Sequence, residues 1–405
     1  MKQRLVYGVL SALFLLLIGL GVREPGPSFP NPRLCLEVLD VGQGDAQLVE
    51  LPGRRFWLVD GGGRPGGAGK VGDDAVLPAL RRRGVERLDR LLISHGDADH
   101  FEGLFAVVKA IPIDEVWVPT RHGSGPRFRL LLRRAEALGA SLRVVDEGAV
   151  FAAVPAPIQA EILHPWPGWR EGESREATRR NNGSLVLRLA LGRVSFLLTG
   201  DIEAPAELRI LEAGLLSRTT VLKVPHHGSR SSSHPSFVDA VDPLVALAGL
   251  GRDNRFGFPH ASVRARYLAR GTRLYWTARH GSLRLCTDGW ELQAYGRQRR
   301  SREVLLSHWG PEAIAAAASR SPEEEGVREA RPPSTYRRCA DLRSSTRTRG
   351  RGAPVPSSRS RKKGTDRRGS HRSVGEDQTP RSPKLLDERV WERRRKKRSR
   401  LKPAW

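Results

Sequence analysis

The stretch Leu91-Leu92-Ile93-Ser94-His95-Gly96-Asp97-Ala98-Asp99-His100-Phe101-Glu102-Gly103 decides how this chain is read. An apolar run of strand length ends in two imidazoles and two carboxylates, and a helix-like pattern continues over residues 101–111. Gly96 and Ala98 are too small to obstruct a turn, so His95, Asp97, Asp99 and His100 are free to close around a common point at the strand's carboxyl end. Burying such groups is costly unless they meet a cation or another charge, which points to metal ligation. The competing reading, an accidental cluster of surface polar residues, leaves the two carboxylates set between two histidines without a reason.

Four more stretches carry similar features in order. They are Leu39-Asp40-Val41-Gly42-Gln43-Gly44-Asp45-Ala46, Val59-Asp60-Gly61-Gly62, Leu197-Leu198-Thr199-Gly200-Asp201 and Leu222-Lys223-Val224-Pro225-His226-His227-Gly228-Ser229. His-x-Asp-x-Asp-His resembles the signature of the metallo-β-lactamase superfamily, whose commoner form has histidine where Asp97 stands. The whole set resembles the metallo-hydrolase domain of the ComEC family of DNA-uptake proteins, from about Leu34 to about Ala294.

That resemblance implies an α/β fold, the metallo-β-lactamase-like αββα sandwich, and a pair of divalent metals. Held roughly 3.5 to 4 Å apart, two metals generate hydroxide from water and stabilise a leaving oxygen. By resemblance His95 and Asp97 serve one metal and Asp99 and His100 the other; Asp201 bridges, and His226 completes the second site. The superfamily's additional histidine before Asp201 has no counterpart, and the region offers Asn182 instead. Aspartate at position 97 enriches the shell in oxygen, which favours manganese, with magnesium or zinc as alternatives.

Asp45 and Asp60 either orient ligand imidazoles or cap turns. His227 ligates in place of His226, donates to a scissile phosphate, or is a structural histidine. Ser229, Ser231, Ser232 and Ser233 around Arg230 suit phosphate oxygens, or form a plain polar loop. Asn254-Arg255-Phe256-Gly257-Phe258-Pro259-His260 matches a family motif that carries histidine where Phe258 stands; the retained His260 is expected to shuttle a proton or touch substrate. Arg230, Arg252 and Arg255 are candidate phosphate contacts or ordinary surface arginines. The expected catalytic set is therefore Asp99, His227 and His260, and the expected substrate contacts are Ser229, Arg230 and Arg255. His122, His164, His234 and His280 read as surface histidines in loops. Gly-x-Ser-x-Gly is absent, and Gly61-Gly62-Gly63 lacks the lysine and spacing of a phosphate loop.

Charge is uneven. The formal net charge is +25, yet from Arg297 onward there are 31 Lys and Arg against 13 Asp and Glu, so most of the surplus lies outside the motif-bearing region. Residues 301–405 read as a basic, mostly disordered tail whose Arg393-Arg394-Arg395-Lys396-Lys397-Arg398 run suits nucleic acid or an anionic membrane, or else is a solvated extension; only residues 311–319 show helical character. Residues 1–23 contain an apolar run long enough to cross a bilayer, a membrane segment or signal anchor, and residues 24–33 form a proline-rich linker. Lys2 and Arg4 ahead of that run place the hydrolase domain, residues 34–300, on the outer side of the cell membrane. In the resembled family this domain follows a multi-helix channel, so the chain is expected to be a fragment, a split gene product or a late internal start, with a separate channel subunit as a partner. Cys35, Cys286 and Cys339 form no paired spacing, which argues against a cysteine zinc site and a disulfide framework; a Cys35–Cys286 bridge is the alternative if the domain is exported.

The pattern predicts strands over residues 34–39, 46–51, 56–59, 88–94, 116–118, 185–191, 194–198, 221–224, 244–248 and 274–276. A closing hairpin is expected over residues 282–295, with helices over residues 76–83, 127–138 and 263–270. Residues 165–180 read as a lid or a disordered insertion. The function that follows is a membrane-anchored, metal-dependent nuclease acting on DNA during competence. Two alternatives stay open: a small-substrate hydrolase of the same fold, with a closed pocket, or a non-catalytic DNA-binding or channel-associated module.

Overall fold

The computed structural model describes residues 33–319, without 68, 121–124, 150–153, 168–179 and 299–300. Three antiparallel strands open the chain: β1 (Leu34–Val38), β2 (Gln47–Leu51) and β3 (Arg55–Val59). Helix α1 (Leu77–Arg82) carries the chain to β4 (Leu88–Leu92), which lies parallel to β3. Helices α2 (Ala98–Phe101) and α3 (Leu104–Ala110) lead to β5 (Ile113–Val118), and α4 (Gly125–Ala137) to β6 (Ser141–Val144), again in parallel.

A second sheet follows. Strands β7 (Gln159–His164), β8 (Val186–Leu191) and β9 (Val194–Leu198) are antiparallel. From β9 the sheet turns parallel, through α5 (Ala204–Glu212), β10 (Val221–Lys223), α6 (Pro235–Val241), β11 (Val245–Ala248), α7 (Ala261–Ala269) and β12 (Arg273–Trp276). After a short α8 (Thr277–His280), the strands β13 (Ser282–Thr287), β14 (Leu292–Arg297) and β15 (Val304–Trp309) rejoin the first sheet, and α9 (Pro311–Ser319) ends the described chain. The result is a nine-stranded sheet, β15-β14-β13-β1-β2-β3-β4-β5-β6, and a six-stranded one, β12-β11-β10-β9-β8-β7.

Strand alternation sorts side chains into three apolar layers. Trp57, Val59 and Leu92 face Phe196, Leu198 and Val221 between the sheets, whereas their neighbours Leu58 and Leu91 pack on Leu80, Leu104 and Phe128. On the other side Leu197 and Leu222 meet Ile210, Phe237 and Tyr267. Successive strand residues point to opposite faces, so strands buried on both faces read as unbroken apolar runs. Each large side chain placed this way contributes roughly 1.5 to 3 kcal/mol. This is the sheet-on-sheet arrangement with outer helices that the sequence predicts.

Several elements differ from the sequence reading. Strands β6 and β7 and helices α5 and α6 are short or carry charges on one face, and their pattern went unread. The sheet continues past residue 300, because β15 pairs with β14 and Ile314 of α9 reaches the core between the sheets at 1% exposure. Cys35 and Cys286 are directly opposed across β1 and β13, with Cα atoms 4.1 Å apart, and form a disulfide. Spacing in sequence hides this pair, since an antiparallel register joins residues 251 positions apart.

No helix among the described residues is long and apolar enough to cross a membrane. The expected membrane segment, the linker up to residue 32, most of the expected lid and the tail beyond residue 319 lie outside the described residues.

Candidate metal centre

The motifs meet at the carboxyl ends of parallel strands, where open α/β sheets place their ligand sites. Strand β4 runs out into Ile93-Ser94-His95, β9 into Thr199-Gly200-Asp201, and β10 into Val224-Pro225-His226-His227. Ring centroids of His95 and His100 lie 4.2 Å apart, and those of His100 and His227 5.5 Å apart.

Each of these three imidazoles has its Nδ1 engaged on the protein side. His100 donates from Nδ1 to Asp60 Oδ2 at 2.9 Å, and Asp60 also accepts from Ser94 N and Ser94 Oγ, both at 2.7 Å. His95 Nδ1 lies 3.0 Å from Ser94 Oγ, whose own proton goes to Asp60, so His95 is the donor. His227 donates from Nδ1 to the carbonyl of Gly249 at 2.9 Å. With the protons fixed there, the Nε2 lone pairs of His95, His100 and His227 are left buried and without a hydrogen-bond partner among the described residues. That is the arrangement in which an imidazole binds a metal while its second nitrogen is held by an outer partner.

Asp201 stands at the hub. Its Oδ2 lies 3.2 Å from His100 Nε2, 3.5 Å from His227 Nε2 and 3.8 Å from His226 Nε2, while Oδ1 has no hydrogen-bond partner among the described residues. Burial works against ionising Asp201, but the facing His227, His100 and His226 outweigh it and hold the carboxyl well below its ordinary range. Burial likewise opposes charge on His100, and Asp201 and Asp60 prevail, raising its pKa well above the usual value. Asp99 is lowered in the same way, burial being overcome by the facing His227, whose Nε2 is 3.6 Å from Oδ2, and by the charge of His100. The carboxylates thus favour positive charge at this spot, whether a proton or a cation.

Ligand atoms of Asp45, His100, Asp201 and His227 all lie within 4.8 Å of one another, and all four residues are buried. Free imidazole nitrogens, a bare carboxylate oxygen and a compact donor set fit a divalent metal. The second histidine of the pair, His227, belongs to this group; His226 was the one expected from the resemblance. Both adopt left-handed backbone angles, φ 45° and 53°, a strain of about 1 to 3 kcal/mol each that recurs at functional sites. The turn sends His227 inward and leaves His226 22% exposed, donating from Nδ1 to Glu203 Oε1 at 3.0 Å.

Two close approaches require glycine. A Cβ on Gly44 would stand 2.3 Å from the carbonyl oxygen of Asp99, and one on Gly249 would stand 2.5 Å from Asp45 Oδ1. These glycines let the loop after β1 and the end of β11 close on the ligands.

The other expected residues distribute around the centre. Asp97 faces His95 Nε2 at 3.7 Å, but its Oδ1 accepts from Arg180 Nε at 2.8 Å. His260 caps α7 and holds Ser262 through Nδ1 and the Arg230 guanidinium through Nε2, the latter at 2.9 Å. Ser229 Oγ pairs with Ser231 Oγ, which donates to Glu203 Oε1 at 2.7 Å. Arg255 lies over the ring of Phe256, and Arg252 donates to Gln298. Asn182 turns away from the ligands: its Oδ1 accepts from the backbone of Glu203 and Ala206 at the start of α5.

Of the histidines read as surface residues, His164 is buried at 1% exposure because β7 ends beneath the residue 181–184 turn, where its Nε2 donates to Asn182 O. His280 is half-buried against Tyr275 and Trp276, His234 caps α6, and His122 lies outside the described residues.

Three functional neighbours were missed in sequence: Arg180, Glu203 and Lys223. Lys223 left a signal, since a lysine inside the apolar run Val221-Leu222-Lys223-Val224 demands a buried counter-charge. Asp45 supplies it, with Oδ2 2.6 Å from Nζ.

Beside the centre lies a cleft of about 880 Å³, lined by Asp97, Asp99, Arg64, Arg180, Arg252 and Phe256 among others. Residues 39–252 match the family model described as the metallo-beta-lactamase superfamily. The chain is 28% identical over 259 residues to ComE operon protein 3 of Bacillus subtilis (strain 168), covering 61% of this chain and 32% of that protein. It is 32% identical over 237 residues to Recombination protein 2 of Haemophilus influenzae, covering 58% and 26%. It is 31% identical over 293 residues to Competence protein ComA of Neisseria gonorrhoeae, covering 69% and 38%. The chain therefore spans about a third of the length of these curated relatives. On the matched family model and these relatives, the chain belongs to the metallo-beta-lactamase superfamily and, within it, to the ComEC family of competence proteins.

Proposed function

We propose that this chain is a metal-dependent nuclease that hydrolyses DNA phosphodiesters in competence-related DNA uptake. The observation that carries the reading is the set of buried, unpaired Nε2 atoms of His95, His100 and His227 around Asp201, at the edge of a cleft rimmed by arginines. Bound there, a divalent pair would supply an activated hydroxide and neutralise charge on the phosphate and the leaving oxygen.

The protein residues divide the remaining work. Asp99, His100, Asp201 and His227 would hold one metal, and His95 and Asp97, with Asp201, the other, while Asp45, bound to Lys223 and facing Nδ1 of His227, would stand behind the ligands. Asp60 and Gly249 fix the ring tautomers through Nδ1. His226, oriented by Glu203, presents Nε2 beside Asp201, where it is placed to hand a proton to a leaving oxygen. Arg180, Arg252 and Arg255 counter phosphate charge. The oxygen-rich shell favours manganese.

The partners in this reading are DNA, the cell membrane through residues 1–23, and a channel subunit, with the hydrolase domain on the outer side. The names of the competence relatives support the DNA assignment.

The test is cleavage of labelled single- and double-stranded DNA by the purified full-length chain with manganese, magnesium, zinc or chelator, beside Asp99→Ala. Metal-dependent cleavage abolished by Asp99→Ala is expected. A folded, metal-loaded protein that cuts a chromogenic diester but no DNA moves the assignment to a small-substrate hydrolase, and DNA binding that survives chelation without any cleavage moves it to a binding module.

A further inference from the structure

The loop between β11 and α7 presents Phe256 to solvent, 53% exposed, on the wall of the cleft that contains Asp97 and Asp99. Its ring stacks on Phe258, with centroids 5.4 Å apart and planes 18° apart. Phe258 in turn meets His226 edge-on at 6.0 Å, and His226 Nε2 is 3.8 Å from Asp201 Oδ2. A chain of three rings therefore runs from the open cleft to the hub of the metal centre.

The platform is held in place. Asn254 accepts from Phe256 N and donates to the carbonyl of Phe258, and Gly251 N donates to Gln43 Oε1 across the cleft mouth. Burying a phenylalanine ring is favourable by roughly 25 cal/mol per Å² of surface covered, so a ring fixed half in water forgoes that gain in the free protein. Cations stand near it as well. The Arg255 guanidinium lies 5.3 Å from the Phe256 centroid, and Arg64, Arg180 and Arg252 line the same cleft. A flat apolar face flanked by guanidinium groups is the pairing that single-stranded nucleic acid uses, the ring stacking a base and the cations tracking phosphates. A base inside a duplex is paired and stacked on both faces and has no free face to offer.

We infer that Phe256 is a stacking platform for an unpaired nucleobase next to the scissile phosphate, so that the cleft selects single-stranded over double-stranded nucleic acid; this rests on the nuclease reading above. Phe258 is the positioning residue that sets the height and tilt of the platform. If Phe256 merely packs on Phe258 to shape the loop, its removal affects every ligand alike.

The test uses the full-length chain, Phe256→Ala and Phe256→Trp. Binding of fluorescent single-stranded and duplex oligodeoxynucleotides is followed by anisotropy in chelator, where nothing is cut, with metal-dependent cleavage measured in parallel. Phe256→Ala is expected to weaken single-strand binding about tenfold while changing duplex binding far less, and Phe256→Trp to restore it. A strand with an abasic position at the contact, already weaker, should lose little further from Phe256→Ala. Equal loss on single strand and duplex, or no loss on either, overturns the inference. Because the binding arm needs no hydrolysis, Phe256-dependent single-strand binding without cleavage under any metal would sink the nuclease reading and leave the platform standing. Cleavage that ignores Phe256 would do the reverse.

Discussion

Lys223 and Asp45 form an ion pair of 2.6 Å with neither side chain more than 1% exposed, directly behind His227, whose Nδ1 lies 3.5 Å from the other oxygen of Asp45. A lone charge at that depth is costly to bury, so each group needs its partner, and together they fix the loop after β1 against the end of β10. Lys223→Met leaves the carboxylate uncompensated and is expected to destabilise the chain by about 3 to 5 kcal/mol, read by denaturant unfolding. Adding Asp45→Asn should recover much of that loss. A single variant as stable as the wild type would show that the pair does not hold the loop.

Metal occupancy should be visible as stability. A divalent ion present at about a thousandfold over its dissociation constant adds about 4 kcal/mol to the folded state, so chelation should lower the melting temperature and metal should restore it. Asp60 touches no ligand atom of the centre but accepts from Nδ1 of His100. Asp60→Asn is therefore expected to weaken metal binding by roughly 10- to 100-fold without emptying the site. Direct titration with manganese and zinc measures this, and unchanged affinity would exclude Asp60 as the group that orients His100.

His164 offers a pH test away from the ligands. Burial pushes its pKa down to about 4, the hydrogen bond to Asn182 being too weak a counterweight. An unfolded histidine titrates near 6.5, so between about pH 6.5 and 4 the unfolded chain binds the extra proton and the folded chain does not. Stability from this residue is intact above pH 6.5 and declines as pH falls, by about 3 kcal/mol once below pH 4. Burial raises Glu207 to about 7, which tilts stability the opposite way over much of the same range. The informative quantity is consequently the difference between wild type and His164→Gln across pH. That difference should slope through this window, and a flat one would mean that His164 is protonated in the folded state.

Legibility from sequence followed the physics of each element. Stretches such as Leu91-Leu92-Ile93 and Phe196-Leu197-Leu198 are buried on both faces, so they stand out as unbroken apolar runs, and the ligand-bearing loops that follow them were legible too. Edge strands carry no such signature. In β15, Val304 and Leu305 are more than half exposed, and beside its backbone pairing the strand offers the core just the part-buried Leu306 and Trp309. The choice between His226 and His227 was likewise hidden, because adjacent residues differ only in how a strained turn aims them. The sequence reading also set Asn182 near the ligands, whereas its carbonyl oxygen is consumed by capping α5. Chemistry-bearing residue types are legible in a linear pattern, whereas the direction a side chain takes from an irregular loop is set by contacts far away in sequence.

The Cys35–Cys286 bridge supplies the last prediction. It ties β1, the first described strand, to the hairpin that returns from the second sheet, closing a loop of 251 residues. Linking such distant positions restricts the unfolded chain far more than the folded one, and native disulfides typically contribute about 2 to 4 kcal/mol. Both strands are also held by ladder hydrogen bonds and by Leu36, Val38, Leu283 and Leu285 in the core between the sheets. Reduction should therefore lower the melting temperature without dissolving the fold. Cys286→Ser should reproduce the shift, since β13 retains its other neighbours, and reductant should not move the variant further. Thiol labelling of the denatured, unreduced protein separates the outcomes. A single reactive cysteine, Cys339, is expected if the bridge forms; labelling at Cys35 or Cys286, with melting indifferent to reductant, would show two buried thiols packed side by side as ordinary core residues.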